Sequence, residues 1–124
     1  MFSAILITGG FFEDHSAEVF LPSTSTTCQM PGLAVARDGH TQDGLLLCGG
    51  YDYDADTSCE EFSPATGSWA RTRHSLQEQR RDHVSWSVEE GTLLMGGGLS
   101  RSTAEIVKHY GTTETSFDME YKTE

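Results

Sequence analysis

Alternating aspartates form the most obvious candidate metal site in this sequence. Asp52, Asp54 and Asp56 lie in the stretch DYDADTSCEEFS, and a D-x-D-x-D pattern opens the calcium-binding loop of an EF-hand. That loop also needs glycine at its sixth position and glutamate at its twelfth, where this sequence has Thr57 and Ser63. We therefore expect a solvated acidic loop here and no metal site.

The other residue types that could do chemistry show no catalytic or metal-binding spacing. The histidines are scattered, and no C-x-x-C pair, H-E-x-x-H, G-x-S-x-G or phosphate-binding loop occurs in the sequence. We therefore expect no catalytic residues and no cofactor, and a protein that is not an enzyme. The histidines concerned are His15, His40, His74, His83 and His109.

The net charge and the hydropathy of the chain argue against two classes of partner, nucleic acids and membranes. The chain has 8 Lys and Arg against 19 Asp and Glu, a net charge of −11, whereas binding to nucleic-acid phosphates requires positive charge. No apolar run approaches the roughly 20 residues that cross a bilayer. The first residues show no basic, apolar and small-residue leader pattern, so no signal peptide is predicted. We expect neither nucleic acid nor membrane as a partner.

A sequence pattern that occurs three times indicates the scaffold on which any functional site of this chain would lie. Three times an apolar run ends on a glycine pair and is followed by a polar loop and a second strand-like segment. The pairs begin 40 and 47 residues apart, and periods of this size indicate an array or a propeller. A glycine pair at a strand end lets a neighbouring backbone approach closely. The pairs are Gly9 with Gly10, Gly49 with Gly50, and Gly96 with Gly97.

A second landmark follows the same order. An Arg-x-x-His segment precedes the second and third units, as Arg37 to His40 and Arg80 to His83. Because the two histidines occupy equivalent positions, we expect hydrogen-bonded structural residues rather than ligands.

The strand pattern is all-β. Apolar and β-branched segments of about four to seven residues are bounded by Gly and Pro turns, with no convincing helical periodicity. Each unit is predicted to be a four-stranded antiparallel sheet, and the first unit lacks its inner strand. The predicted strands are 40–42, 45–48, 58–63 and 69–74 in the second unit, and 84–88, 92–95, 104–108 and 116–121 in the third.

These residues resemble the kelch repeat, the blade unit of a β-propeller. The run Leu45 to Gly50, then Phe62 and Trp69, carries the match in the second unit. The first unit has Thr27-Cys28 where tryptophan is expected, and the third has Phe117. The resemblance implies one partial propeller over 1–124, with approximate blades 1–36, 37–79 and 80–124. Large aromatic side chains are expected between blades, namely Phe20, Phe62, Trp69 and Trp86.

Two of the cysteines are expected to lie close together in the predicted second blade. An antiparallel hairpin would bring Cys48 and Cys59 nearly opposite one another, and cysteine occurs at both of these positions in the second unit and at neither in the other two. A disulfide and two buried thiols both fit. A disulfide would indicate an extracellular or secretory protein, whereas free thiols would indicate a cytoplasmic one. Cys28 has no predicted partner within its own unit. The positions aligned with the pair are Thr8 with Ala17, and Met95 with Ala104.

Three polar loops, residues 11–16, 51–57 and 99–103, are predicted to lie at one end of the propeller, where binding residues are often found. Their aromatic and acidic residues suit a basic protein partner, although plain solvated loops also fit. The candidate binding residues are Phe12, Tyr51, Asp52, Tyr53, Asp54 and Arg101, with Phe11 beside them.

An alternative function follows from the same resemblance, because galactose oxidase is similar to kelch proteins in its propeller and carries a copper site with Tyr and His ligands. Propellers have about four to eight blades, and an open stack of three would expose edge strands and apolar faces. The sequence therefore predicts a fragment that needs further blades or a second chain to close.

Overall fold

The computed structural model describes residues 3–11, 15–51, 57–89, 92–99, 102–108 and 116–118. Within these residues the chain is all-β, with three separate antiparallel sheets and no helix. The sheets follow one another along the chain, and they do not close into a ring. Strands adjacent in sequence are adjacent in each sheet, as antiparallel strands joined by short turns usually are.

Sheet 1 consists of β1 (Ile5–Thr8), β2 (Ala17–Leu21) and β3 (Thr26–Gln29). Sheet 2 consists of β4 (Thr41–Asp43), β5 (Leu46–Cys48), β6 (Ser58–Ser63) and β7 (Ser68–Ser75). Sheet 3 consists of β8 (Val84–Glu89), β9 (Thr92–Gly96), β10 (Thr103–Lys108) and β11 (Ser116–Asp118). Every strand predicted for the second and third units is present, and β1 pairs with β2 alone within the described residues.

Two apolar clusters hold the sheets together, and sheet 2 contributes to both. Successive side chains of a strand point to opposite faces, so Leu47 packs in the cluster shared with sheet 1, whereas Leu46 and Cys48 pack in the cluster shared with sheet 3. This two-sided burial explains why β5 is apolar at every position. Trp69 is buried in the first cluster, and its ring centroid lies 5.4 Å from that of Phe62.

The third glycine pair lies one residue later than the sequence alignment placed it. Gly9, Gly49 and Gly97 have φ of 66°, 73° and 70°, and each is followed by a second glycine at positive φ. Gly96 is instead the last residue of β9 and lies opposite Ala104, as Cys48 lies opposite Cys59. The equivalent pair is therefore Gly97 with Gly98, because three consecutive glycines allow two alignments and only the backbone conformation distinguishes them.

The alignment of Phe117 with Trp69 is also wrong. Trp69 lies opposite Phe62 in the β6–β7 register, whereas Phe117 lies opposite Ala104 in the β10–β11 register. Ala104 corresponds to Cys59, which is three residues before Phe62 in β6. Phe117 therefore lies nearer to the start of β10 than a residue equivalent to Trp69 would.

Contrary to expectation, Trp86 fills no space between the three described sheets. Trp86 is 74% exposed, and Val84 and Val88, which share its face of β8, are exposed as well. Ser85 and Ser87 lie opposite Met95 and Leu93, which are in the cluster shared with sheet 2. The Trp86 side chain thus points away from sheet 2, to a face that no other described sheet covers.

Candidate functional site

A buried ion pair marks the junction between sheets 1 and 2. The segment before β4 carries Arg37, whose Nε donates a hydrogen bond of 2.8 Å to Oε2 of Glu60 in β6. Its Nη1 donates to the carbonyls of Gly49 at 2.8 Å and Ser58 at 2.9 Å, and its Nη2 donates to Ser58 Oγ at 2.9 Å. Both charged side chains are fully buried. The carboxylate, two carbonyls and a hydroxyl therefore all accept from one guanidinium.

The same arrangement recurs in sheet 3. Arg80 Nε donates to Glu105 Oε2 at 2.9 Å, and Nη1 donates to the carbonyls of Gly97 and Thr103 at 3.1 and 2.8 Å. Arg80 Nη2 donates to Thr103 Oγ1 at 2.8 Å. A buried ion pair is tolerated when hydrogen bonds satisfy both partners. These arginines are therefore part of the scaffold, not of an exposed binding site.

Each arginine also joins its sheet to the preceding one. Gly10 N–H donates to the carbonyl of Arg37 at 2.8 Å, and Gly50 N–H donates to the carbonyl of Arg80 at 2.9 Å. A Cβ on Gly49 would lie 2.5 Å from the Arg80 carbonyl oxygen. The glycine pairs thus allow the next unit's backbone to reach the strand end.

The histidines of the Arg-x-x-His segments lie at the same junctions. Nε2 of His40 shares a hydrogen bond of 2.8 Å with Thr8 Oγ1, and Nε2 of His83 shares one of 2.8 Å with Thr41 Oγ1. Burial, reinforced by the positive charge of Arg80, lowers the pKa of His83 to about 4. Burial likewise lowers the pKa of His40. A neutral imidazole is expected at both positions at pH 7.

One exposed apolar residue follows each glycine pair. Phe11 is 73% exposed, Tyr51 62% and Leu99 56%. Tyr51 N–H donates to the carbonyl of Asp38 at 2.5 Å, and Leu99 N–H donates to the carbonyl of Arg81 at 3.1 Å. The repeat therefore holds these residues at equivalent backbone positions; we call Phe11, Tyr51 and Leu99 the rim residues.

Arg81 connects two of the rim residues. Its guanidinium carbon lies 4.4 Å from the centroid of the Tyr51 ring, which is a cation–π geometry, while its backbone binds Leu99. Asp38 and Arg81 both follow the arginine of an Arg-x-x-His segment, and this shared position is the signal that sequence reasoning missed. Arg81 thus contacts Tyr51 through its side chain and Leu99 through its backbone.

Of the predicted binding residues, Tyr51 lies on this rim. The others fall outside the described residues, as do most of the loops that carry them. The residues outside are Phe12, Asp52, Tyr53, Asp54 and Arg101. Within the described part of the chain, no group of three His, Cys, Asp or Glu side chains is placed to hold a metal ion.

Cys48 and Cys59 form a disulfide. They are directly opposite each other in the β5–β6 register, with Cα atoms 4.1 Å apart, slightly closer than the usual lower limit of about 4.4 Å. Cys28 is a free, exposed thiol. No helix long and apolar enough to cross a membrane occurs among the described residues.

No family model matches this chain, and no curated protein matches it.

Proposed function

We propose that this chain is a run of kelch-type propeller blades that acts as a non-catalytic protein-binding module. The proposed blades are 1–36, 37–79 and 80–124 of one incomplete propeller. Three successive antiparallel sheets, joined by the same Arg–Glu and glycine contacts at both junctions, support this reading of the repeat. Such repeated junctions make a rigid scaffold on which loops can present binding residues.

The exposed rim carries the functional proposal. Phe11, Tyr51 and Leu99 are large apolar side chains left in solvent at the same place in each unit. Grouped exposed apolar residues commonly mark interaction surfaces, and tyrosine and arginine are enriched among the residues that dominate protein–protein binding. Arg81 stacked on Tyr51 presents both types together.

The partner proposed is a basic protein segment. The chain carries a net charge of −11, and Asp52, Asp54 and Asp56 directly follow Tyr51 in the sequence. Complementary charge raises the association rate and selects against acidic partners. The apolar rim residues would supply contact area, and the neighbouring aspartates would supply charge selectivity.

Two further parts of the proposal concern completeness and compartment. The exposed face of β8 with Trp86 would be covered by further blades or a second chain. Disulfides persist in oxidising compartments, so the bond between Cys48 and Cys59 favours an extracellular or secretory protein.

Selection from a displayed peptide library tests the binding proposal. Peptides selected on the wild-type chain should be enriched in Lys and Arg, and they should bind Tyr51→Ala at least tenfold more weakly when titrated individually. Trp86→Ala is the matched control, because it removes another largely exposed aromatic residue, from β8 of sheet 3. Peptides that bind Tyr51→Ala and wild type equally would show that the rim is not the binding surface.

A further inference from the structure

Sheet 1 repeats the acceptors that hold arginine in the other two sheets. Glu18 lies opposite Ile7 in the β1–β2 register, as Glu60 lies opposite Leu47 and Glu105 opposite Met95. Gly9 N–H donates to the carbonyl of Ser16 at 2.9 Å, just as Gly49 N–H donates to that of Ser58 at 3.0 Å. The carboxylate, the glycine carbonyl and the hydroxyl-bearing residue therefore recur in sheet 1, as Glu18, Gly9 and Ser16.

Both arginines of this arrangement are bound in the other two sheets. Arg37 is bound at Glu60, 23 residues later in the chain, and Arg80 is bound at Glu105, 25 residues later. Glu18 is only partly buried and has no ion-pair partner among the described residues, whereas Glu60 and Glu105 are fully buried.

We propose that Glu18, with the backbone of Gly9 and Ser16, binds the guanidinium of an arginine carried by an extended Arg-x-x-His segment. The segment has the chemistry of residues 34–43 of this same chain. Arginine suits such a site better than lysine, because its planar fork reaches a carboxylate and neighbouring carbonyls together.

The unpaired edge of β1 indicates a chain segment rather than a small guanidinium compound. In the other sheets the strand that follows the histidine pairs with the strand that precedes the glycine pair: β4 pairs with β5, and β8 pairs with β9. Within the described residues β1 has only β2 beside it. A bound segment could add a strand to this edge through main-chain hydrogen bonds.

The face around Glu18 is apolar, as an interface of this kind requires. Residues directly opposite each other in a sheet share a face, so Ile7 and Glu18 lie on the same side, together with Ile5. Both isoleucines are about half exposed, at 50% and 47%. Leu6 and Ala17 pack instead in the cluster with sheet 2. The site is therefore on the side of sheet 1 away from sheet 2, and it is distinct from the rim.

Titration with a synthetic peptide tests the proposal. A fluorescein-labelled peptide with the sequence of residues 34–43, AVARDGHTQD, is mixed with the full chain, and binding is followed by fluorescence anisotropy. We expect saturable binding that weakens at least tenfold when the peptide's arginine is replaced by alanine, and also when the protein carries Glu18→Gln. Glu89→Gln, which removes one exposed carboxylate from sheet 3, should leave the affinity unchanged.

Two further measurements keep the result interpretable. Because Glu18 has no ion pair to lose within the described structure, Glu18→Gln alone should not lower the melting temperature, while the peptide should raise that of the wild type only. Tyr51→Ala should bind the peptide as tightly as the wild type does. A failure of the proposed binding at the rim residues is therefore distinguishable from a failure of the proposed arginine site at Glu18. The proposal would be overturned if the peptide showed no saturable binding, or if it bound Glu18→Gln as tightly as the wild type. It would also be overturned if the chain self-associated and Glu18→Gln abolished that self-association.

Discussion

Acid should destabilise this protein through His83, and the structure sets the size of the effect. His83 is 7% exposed, and its pKa is lowered to about 4 by burial and by Arg80. The ordinary value of about 6.5 applies to the unfolded chain, so the unfolded state binds more protons between these two values. The contribution of neutral His83 is therefore complete above about pH 6.5 and is lost as the pH falls towards 4.

The loss can be worked out from the pKa difference. Each pKa unit corresponds to about 1.4 kcal/mol, so at pH 4.5 roughly 2 to 3 kcal/mol of the free energy of unfolding should be lost. Arg80 and His40 favour the neutral ring and Asp82 opposes them. The pKa of His40 is lowered as well, so its titration acts in the same direction and must be cancelled by a control.

His83→Gln provides that control. Glutamine does not titrate, and its amide can still hydrogen-bond Thr41 Oγ1, the partner of His83 Nε2. Urea unfolding of both proteins, followed by tryptophan fluorescence at pH 7 and pH 4.5, yields two pH-dependent losses. His40 and the 19 Asp and Glu residues are present in both proteins, so the difference between the losses reports His83. Equal losses within about 0.5 kcal/mol would refute the reasoning, since a single neutral buried histidine should contribute several times that amount.

Three other perturbations have expected outcomes in urea unfolding or thiol assays. Trp69→Ala should cost about 3 to 5 kcal/mol, the range for a large buried aromatic, and Trp69→Phe much less, because Nε1 has no hydrogen-bond partner among the described residues; a cost under about 1 kcal/mol for alanine would place the ring at the surface. Gly49→Ala should cost at least about 2 kcal/mol more than Gly44→Ala, since both have positive φ but only Gly49 would bring its Cβ to 2.5 Å from a carbonyl; equal costs would contradict the close approach. Denatured, unreduced protein should show one reactive thiol, Cys28, and reduction should expose Cys48 and Cys59 as well; three thiols before reduction would exclude the bond.

Local sequence patterns were sufficient for the strands and their order. Alternating apolar residues bounded by glycine turns predict short strands, and short connections place successive strands side by side. The opposed positions of Cys48 and Cys59 followed from the same hairpin. The equivalence of Gly96 with Gly9 failed because three glycines in a row carry no side-chain signal, so that only the φ angles of Gly97 and Gly98 show which residues bend the chain.

The candidate sites depended on contacts that local pattern does not encode. Arg37 and Glu60 are 23 residues apart, and neither residue type nor spacing predicted that they would form a buried pair. Trp86 resembles a core residue in sequence, yet it is exposed because its face of β8 points away from sheet 2.

The amino-acid sequence by itself determined the repeat, because glycine pairs and strand alternation act within a few residues of themselves. Only the tertiary structure decided which residue of each repeat is exposed to solvent. It also decided which of the three equivalent glutamates form an ion pair with arginine and which one does not. Those outcomes depend on what packs against each sheet: the same position is buried and ion-paired at Glu60, where the segment that carries Arg37 lies between sheets 1 and 2, and only partly buried at Glu18. A side chain's environment is set by what packs against its face, and that neighbour lies far away along the chain.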